Sequence, residues 1–306
     1  MAQTIVRMGG YQGPRSVHTR AARILGREFL ERAGDGYRFD FRADVTVLGR
    51  PSIDLFDMVA AGELDLCYFA SSYLAHEVPD LAVFDLPFRI ASREEIYRKL
   101  DGGLGSRLAE AVTRDTAFVS LGYWDNGFRH LSNRVRPIRR PDDCRGLSIR
   151  TMDSAVHQAT FRALGFAPRF VDVKDFPEAV RTGAVDAQEN PLTNMVNFKV
   201  HETHRYLTMT GHFYGVTLVL GNRDRIASWP KRARGALHEA AAVATKAQRR
   251  FAAEEDVARL ADFVAAGVQV IGTDEFDRAA FVAATAEVVA TQSTAIDPEV
   301  LRIIRE

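Results

Sequence analysis

Short apolar runs and longer amphipathic segments alternate along the chain. Short runs rich in β-branched and aromatic residues indicate strands, whereas apolar positions three and four residues apart indicate helices. Strands are predicted at 4–8, 38–48, 63–70, 118–123, 128–133, 146–150, 168–173 and 215–220. Helices are predicted at 16–32, 52–61, 92–113, 154–164, 174–182, 191–198, 230–266, 273–291 and 298–305. This alternation predicts an α/β protein.

Two stretches repeat one pattern, a helix end followed by glycine, an apolar residue, aspartate and a strand. They are VAAGELD at 59–65 and VRTGAVD at 180–186. Such joints recur in α/β proteins, so coincidence is one interpretation. The other is two similar lobes, each directing one strand end at a shared cleft. In that case 71–73 and 188–190 face the cleft, and the long 230–266 helix braces both lobes.

A strand-end arginine is the first candidate for binding chemistry. Arg150 ends the strand 146–150, and the polar run 188–190 ends a later strand. If both strands lie in one parallel sheet, they open into the same crevice, where such sheets bind ligands. A guanidinium matches a carboxylate bidentately, and Arg129 and the Asn190 amide could complete its hydrogen bonds. The alternative for Arg150 is a structural ion pair with Asp153, Asp172 or Asp186.

The segment 124–127 is rich in turn residues, and we expect the chain to turn there and cross between lobes. The loop 134–145 holds five arginines and is interpreted as a solvated face in preference to an anion site. Tyr11 follows the first strand, so both a pocket role and a surface position stay open.

Composition bounds the class of protein. With 306 residues, 46% of them hydrophobic, the chain has material for about two domains. Its 40 basic residues balance 40 acidic ones, which favours neither a nucleic-acid partner nor a membrane surface. No apolar run is long enough to insert into a membrane. Cys67 and Cys144 form no zinc or redox motif, and a disulfide between them stays open.

Motifs for catalysis and cofactors are missing from the sequence. It contains no GxSxG, HExxH or Walker loop, and no GxGxxG in a strand-to-helix context. Cys67 lies in an apolar strand and is interpreted as core. No histidine pair has defensible metal-ligand spacing, so neither a metal nor a cofactor is expected. His212 is either a cleft residue or a structural one.

Five segments resemble one family over essentially the whole chain. They are NGFR (126–129), SNR (132–134), PDDCRGLSIR (141–150), ALG (163–165) and GAVDAQENP (183–191). Their order and spacing, together with Gly211-His212 and the long helix, resemble the periplasmic solute-binding proteins of tripartite ATP-independent (TRAP) transporters, the DctP type. The resemblance implies a two-lobed periplasmic-binding-protein fold, with each lobe a mixed sheet flanked by helices. Crossing strands and a long helix join the lobes, which close around a ligand.

The resemblance also implies lobe limits and site residues. The first lobe is expected at 1–124 and 214–250, and the second at 125–213 and 251–306. The position of Arg150 forms the main salt bridge to the ligand carboxylate. The expected ligand-facing set is Arg150, Arg129, Asn190, Tyr11, Ser71, Ser72, Tyr73, Trp124, Asn126, Val173, His212 and Phe213. Val173 replaces the aromatic residue of many sialic-acid-binding members, and the first-lobe loop lacks their glutamate, so a smaller or more apolar acid is favoured.

The expected function is therefore that of a non-catalytic receptor. It would bind an organic monocarboxylate or dicarboxylate in the interlobe cleft and deliver it to TRAP permease subunits in the membrane. The family is exported, so we expect a periplasmic protein whose signal peptide is absent from the sequence given. A ligand-sensing domain for a signalling partner is one alternative. An enzyme with His212 as acid or base and Arg150 as anchor is another.

Overall fold

A computed structural model describes residues 3–306, so the start of the chain, to which the expected absence of a signal peptide refers, lies outside the described residues. The strands are β1 (Thr4–Gly9), β2 (Tyr37–Arg42), β3 (Leu66–Ala70), β4 (Phe118–Asn133), β5 (Ser148–Thr151), β6 (Ala167–Phe170), β7 (Ala187–Asn190), β8 (Tyr206–Asn222) and β9 (Gln269–Ile271).

The helices follow the amphipathic segments. They are α1 (Val17–Ala33), α2 (Asp54–Ala60), α3 (Arg93–Leu100), α4 (Gly103–Asp115), α5 (Ala155–Ala163), α6 (Phe176–Thr182), α7 (Leu192–Asn197), α8 (Arg223–Ser228), α9 (Lys231–Ala265), α10 (Arg278–Ala284), α11 (Ala286–Ser293) and α12 (Pro298–Arg305). Short 3₁₀ turns lie between them, among them Ser71–Tyr73 and Pro79–Asp85.

Serine side chains fix where several helices begin. Ser16 accepts a hydrogen bond from the Thr19 backbone N–H at the start of α1, and Ser154 accepts one from the His157 N–H at the start of α5. Each bond satisfies a donor that the first helical turn leaves without a partner. The start of α5 is therefore set locally, and with it the position of His157.

The chain forms two compact units. The first unit consists of 1–70, 105–125 and 216–253. Its strand order is β2-β1-β3-β8-β4, with β1 parallel to β2 and β3, and β3 antiparallel to β8. The buried face of α1 and the Leu237 face of α9 supply helical parts of its core.

The second unit consists of 71–104, 126–215 and 254–306. Its strand order is β8-β4-β7-β5-β6, with β9 paired to β8. Two apolar clusters pack in this unit, one around Ile149, Phe161 and Phe213, the other around Phe176, Met195 and Phe263. The predicted α/β class with mixed sheets flanked by helices is confirmed; the expected lobe limits stay a prediction.

The pairing of β5 with β7 confirms the parallel arrangement on which the binding argument depends. In that register Ile149 lies opposite Ala187, and Arg150 lies opposite Gln188. The strand-end arginine and the amide run therefore share one edge of the sheet.

The predicted turn at 124–127 is wrong, because β4 runs through these residues without interruption. Asp125 exchanges two backbone hydrogen bonds with the Gln248 side chain of α9, at 2.7 and 2.6 Å. Gly127 adopts a φ of 86°, which only glycine accepts easily. A distant glutamine and one glycine conformation thus keep a turn-rich segment extended.

Three other elements differ from expectation. The predicted strand 38–48 ends at Arg42, and a 3₁₀ turn occupies Thr46–Leu48. The predicted helix 92–113 is two helices, because Gly102 and Gly103 follow the end of α3. Helix 273–291 likewise forms two helices that meet at Thr285, whose side chain bonds back to the Phe281 carbonyl.

None of the helices formed by residues 3–306 combines the length and apolar character needed to cross a membrane. Both cysteines are free and buried. Burial raises the pKa of each thiol, so both side chains are neutral core groups.

Candidate functional site

Arg150 is buried at the edge of the sheet in the second unit. Only 2% of its surface is exposed. Its Nε donates to the Val171 carbonyl at 2.9 Å, and its guanidinium carbon lies 4.8 Å from the centre of the Phe176 ring. One carbonyl and one aromatic face hold the guanidinium in place without neutralising it.

The ion-pair alternative for Arg150 is not found in the structure. Within residues 3–306 no carboxylate pairs with this guanidinium, and its buried Nη2 has no hydrogen-bond partner. Asp186 accepts instead from the Ser148 backbone and hydroxyl, and Asp172 from the Lys174 N–H. A buried cation without a counter-ion is costly, so this position favours an anion.

Arg129 differs from Arg150, because a carboxylate of the protein pairs with its guanidinium. Its Nε and Nη2 bind the two carboxylate oxygens of Glu189 at 2.5 and 2.7 Å, and Nη2 also reaches the Asn190 Oδ1 at 3.2 Å. Glu189 is fully buried. Burial opposes its charge, but Arg129, His157 and His212 together hold the pKa of Glu189 well below its usual range. These partners therefore favour the ionised form of Glu189.

Amide side chains extend the site along β7. The Asn190 Nδ2 donates to the Gln188 Oε1 at 2.9 Å, and the Gln188 Nε2 donates to the Ser132 hydroxyl at 2.5 Å. These groups therefore hold one another in fixed orientations beside the Arg129–Glu189 pair.

The 3₁₀ turn Ser71–Tyr73 belongs to the second unit, and its Tyr73 lies within the electrostatic range of Arg150 and Arg129. Burial raises the pKa of the Tyr73 hydroxyl, although Arg150 and Arg129 act on it in the opposite direction. The Ser72 hydroxyl donates to the Asp85 Oδ1 at 2.7 Å, whereas the buried Ser71 hydroxyl has no partner among the described residues. The turn thus brings the Tyr73 hydroxyl to the arginines.

His157 bridges two carboxylates. Its Nε2 lies 2.9 Å from the Asp85 Oδ1, and its Nδ1 lies 3.5 Å from the Glu189 Oε1. Burial alone would lower the pKa of this histidine, but Asp85 and Glu189 outweigh burial and raise it. We call Asp85, Arg129, Arg150, His157 and Glu189 the charged cluster.

His212 and Phe213 support this cluster from β8. The His212 Nε2 lies 3.4 Å from Glu189, and its Nδ1 lies 2.7 Å from the Thr210 hydroxyl. Burial lowers the pKa of His212 despite the nearby glutamate, so the ring is neutral. Phe213 stacks on His157 with ring centres 4.2 Å apart. Both residues position the cluster.

Two predicted residues lie at the margins of the second unit's site. Asn126 is buried and accepts a weak hydrogen bond from the Asn194 amide at 3.4 Å. Val173 is half-buried, two residues beyond the carbonyl that Arg150 contacts.

The remaining two lie in the first unit, in a group of rings that we call the aromatic cluster. Tyr11 and Trp124 both pack near Tyr68, with ring centres 5.6 and 5.5 Å away, and His18 stacks on Tyr68 at 5.6 Å. Burial lowers the pKa of His18 to about 3, so this cluster carries no charge. Gln12 follows Tyr11 in the sequence and is buried. Neither its amide nor either His18 nitrogen has a hydrogen-bond partner within residues 3–306.

Sequence reasoning missed Gln12, His18, Asp85, His157 and the pairing role of Glu189. Glu189 was visible inside the amide run, but its partner Arg129 lies 60 residues away. Asp85 and His157 are 72 residues apart and share no motif. In the sequence, the only signal for these residues is a titratable residue isolated within an apolar segment.

The second unit also contains an open cavity of about 430 Å³ at the start of α5. Its lining includes Ser72, His76, Ala82, Asp153, Ser154 and Gln292. Asp153 follows Arg150 by three residues, so the cavity adjoins the segment that carries the arginine. Residues 3–306 contain no group of three or more His, Cys, Asp or Glu side chains placed to hold a metal ion.

Comparison with known proteins gives a consistent result. Residues 10–295 match the family model described as bacterial extracellular solute-binding protein, family 7. A solute-binding protein of Verminephrobacter eiseniae is 32% identical over 290 residues, which cover 94% of this chain and 84% of the relative. The 2,3-diketo-L-gulonate-binding periplasmic protein YiaO of Escherichia coli is 30% identical over 223 residues, covering 73% of this chain and 67% of YiaO.

A solved structure agrees over the full length. A TRAP periplasmic solute binding protein from Bordetella, with density assigned to pantoate, superposes with a TM-score of 0.92 at 26% identity. The match covers 99% of each chain. Sequence and fold therefore indicate the same class of protein.

Proposed function

The chain belongs to family 7 of the bacterial extracellular solute-binding proteins, and from this premise we propose that it binds a small organic acid through the carboxylate. Arg150 is the main anchor, and the protein delivers the acid to a TRAP permease in the membrane. The single observation that carries the ligand class is the buried Arg150 guanidinium, which no carboxylate of residues 3–306 neutralises.

The arginine guanidinium suits a carboxylate better than a lysine ammonium would. The planar fork offers parallel N–H groups that match two carboxylate oxygens. Charge-assisted hydrogen bonds contribute about 1.5 to 3 kcal/mol each. Two of them, with further contacts, are enough for micromolar affinity, since 1 µM corresponds to about 8 kcal/mol.

The neighbouring groups divide into direct contacts and supports. The hydroxyls of Tyr73, which Arg150 and Arg129 influence, and of Ser71, which has no partner within residues 3–306, are the proposed hydrogen-bonding groups beside Arg150. Arg129 acts with its remaining Nη1 and through the Asn190 amide, because Glu189 occupies the rest of its fork. Ser72 acts by holding Asp85. Tyr11, Trp124, Asn126, Val173, His212 and Phe213 complete the proposed set as shaping or supporting residues.

The relatives support an acid as the ligand. YiaO is named for 2,3-diketo-L-gulonate, and the Bordetella structure has density assigned to pantoate. Both molecules are carboxylates. We carry over the carboxylate class alone and place this chain, like YiaO, in the periplasm.

The enzymatic alternative requires a histidine that can exchange a proton with a substrate. His212 does not meet this requirement, because Thr210 and Glu189 engage its two nitrogens. A binding role for the site agrees with the receptor family to which the chain belongs.

The test is a thermal-shift screen of organic acids, including succinate, pantoate and 2,3-diketo-L-gulonate. An acid at 100 times its dissociation constant stabilises the protein by about 2.7 kcal/mol. We expect Arg150→Ala to abolish the shift. Arg150→Lys should weaken binding by about 1.5 to 3 kcal/mol, because the charge remains but the fork is lost.

Arg169→Ala is the matched control. Arg169 lies opposite Arg150 on the neighbouring strand β6, but its side chain is exposed. The control should bind like wild type and unfold at the same temperature. If Arg150→Ala folds and binds as well as Arg169→Ala, the proposed anchor is wrong.

A further inference from the structure

We propose that His157 is a positioning residue whose proton couples ligand binding to pH. In the protonated form it pairs with Asp85 and faces Glu189, which leaves the charge of Arg150 to be neutralised by a ligand carboxylate. The inference rests on the proposed function, because it concerns the same site.

The geometry places one carboxylate at each ring nitrogen of His157. Asp85 Oδ1 lies 2.9 Å from Nε2, and Glu189 Oε1 lies 3.5 Å from Nδ1. The first contact is a hydrogen bond and the second is a charge contact, because Nδ1 has no hydrogen-bond partner within residues 3–306. A neutral imidazole carries one N–H, whereas the protonated ring presents an N–H and positive charge to both carboxylates. Phe213 stacks on the ring, which is fully buried, so water does not screen the two carboxylates from it. The site therefore favours the protonated form.

Charge counting leads to the same form. Arg129 and Arg150 are positive and Asp85 and Glu189 are negative, so the cluster is neutral when His157 is neutral. A bound carboxylate would then leave one uncompensated negative charge in a buried region, which is costly. With His157 protonated, the same carboxylate brings the cluster to neutrality. Binding and protonation therefore favour each other.

The other titratable groups facing the cluster do not supply this charge. His212, packed from β8 against Glu189, stays neutral because burial lowers its pKa. Burial raises the pKa of Tyr73, so its hydroxyl keeps its proton. Asp172 also acts on Tyr73, but it is half-exposed and water screens it. On α5 itself, Arg162 contacts Gln158 at the surface.

A second buried histidine shows what happens without the carboxylates. His204 bonds to the Ser132 hydroxyl, and burial lowers its pKa to about 3. The pKa of His157 is raised at similar burial because Asp85 and Glu189 face it. A ligand anion would raise it further. Affinity should therefore be highest at low pH and fall as pH rises through the His157 pKa of the ligand-free protein.

The first measurement needs no ligand. Histidine ring signals are followed by NMR between pH 5 and 10, and the His157 signal is assigned by its loss in His157→Gln. We expect it to titrate above its ordinary value of 6.5, and we expect Asp85→Asn to lower its pKa. A signal that titrates at or below that value would overturn the proposal, whatever the ligand.

The second measurement is calorimetry with whichever of succinate, pantoate and 2,3-diketo-L-gulonate gives the largest thermal shift. Wild type should lose about tenfold in affinity from pH 6 to pH 9, which corresponds to a shift of about one pKa unit on binding. Buffers of different ionisation enthalpy should reveal proton uptake near the measured pKa. His157→Gln should bind more weakly at pH 6, with no proton uptake and a flat pH profile.

His238→Gln is the control, since it removes an exposed histidine of the first unit by the same substitution. It should retain the wild-type profile. Proton uptake that persists in His157→Gln, or a wild-type affinity that does not change with pH, would refute the coupling while leaving the receptor intact. If no acid shifts the melting temperature, the proposed function fails, and the NMR titration still decides whether His157 holds the proton.

Discussion

The two units of the chain bury polar groups in different ways. The aromatic cluster of the first unit contains a neutral histidine, His18. Gln12, which follows Tyr11 of this cluster in the sequence, is buried, and its amide has no partner among the described residues. The charged cluster of the second unit contains five ionisable side chains, held mainly by ion pairs. Within the charged cluster, Asp85, Arg129, His157 and Glu189 each face an opposite charge, whereas Arg150 has no carboxylate partner within residues 3–306. Arg150 is therefore the residue that we propose as the anchor.

The largest effect should come from breaking the main pair of the charged cluster. Glu189→Gln preserves shape but leaves Arg129 buried without a counter-ion, and we expect a loss of about 3 to 5 kcal/mol in the free energy of unfolding. Urea denaturation at pH 7 measures it. Glu178→Gln removes a carboxylate from an exposed pair with Arg181 and should change nothing measurable. Equal stability of the two variants would show that the buried pair does not hold the second unit together.

A pH series should distinguish the two clusters, because the histidines His18 and His157 change the free energy of unfolding in opposite directions as the pH changes. The pKa of His18 is lowered to about 3 from an ordinary 6.5. Below pH 6.5, His18 therefore becomes protonated in the unfolded chain but stays neutral in the folded protein. Its contribution to stability is therefore lost as pH falls, by about 1.4 kcal/mol at pH 5.5. His18→Phe keeps a ring on Tyr68 and should remove this loss.

The raised pKa of His157 acts in the opposite direction. Its stabilisation is fully present below 6.5 and is lost as pH rises through the folded-state pKa. Urea denaturation of wild type and His18→Phe at pH 7 and pH 5.5 tests the difference. If the variant loses as much stability on acidification as wild type does, His18 is not held neutral by burial.

The smallest effect should come from Gln12. Since neither amide atom has a hydrogen-bond partner within residues 3–306, Gln12→Leu removes a desolvation cost and should raise the free energy of unfolding by about 1 kcal/mol. Asn222→Leu is the contrasting variant, because the Asn222 amide binds the Val59 carbonyl and caps α8. It should destabilise the protein. A clear loss of stability in Gln12→Leu would mean that the amide is satisfied.

The sequence by itself determined the α/β class, most helix limits and the placement of Arg150 beside 188–190. Periodicity and capping residues act over a few positions, and parallel strand ends meet by simple geometry. The motifs also determined the family. These features needed no knowledge of which distant side chains meet.

Only the tertiary structure decided which charges are paired. Glu189 binds Arg129, and His157 binds Asp85, across 60 and 72 residues. The same holds for 124–127, which stays extended because Gln248 supplies hydrogen bonds from 123 residues away. The sequence does not show which residue a charged side chain will pair with. Burial makes the partner obligatory, and burial is a property of the packed chain.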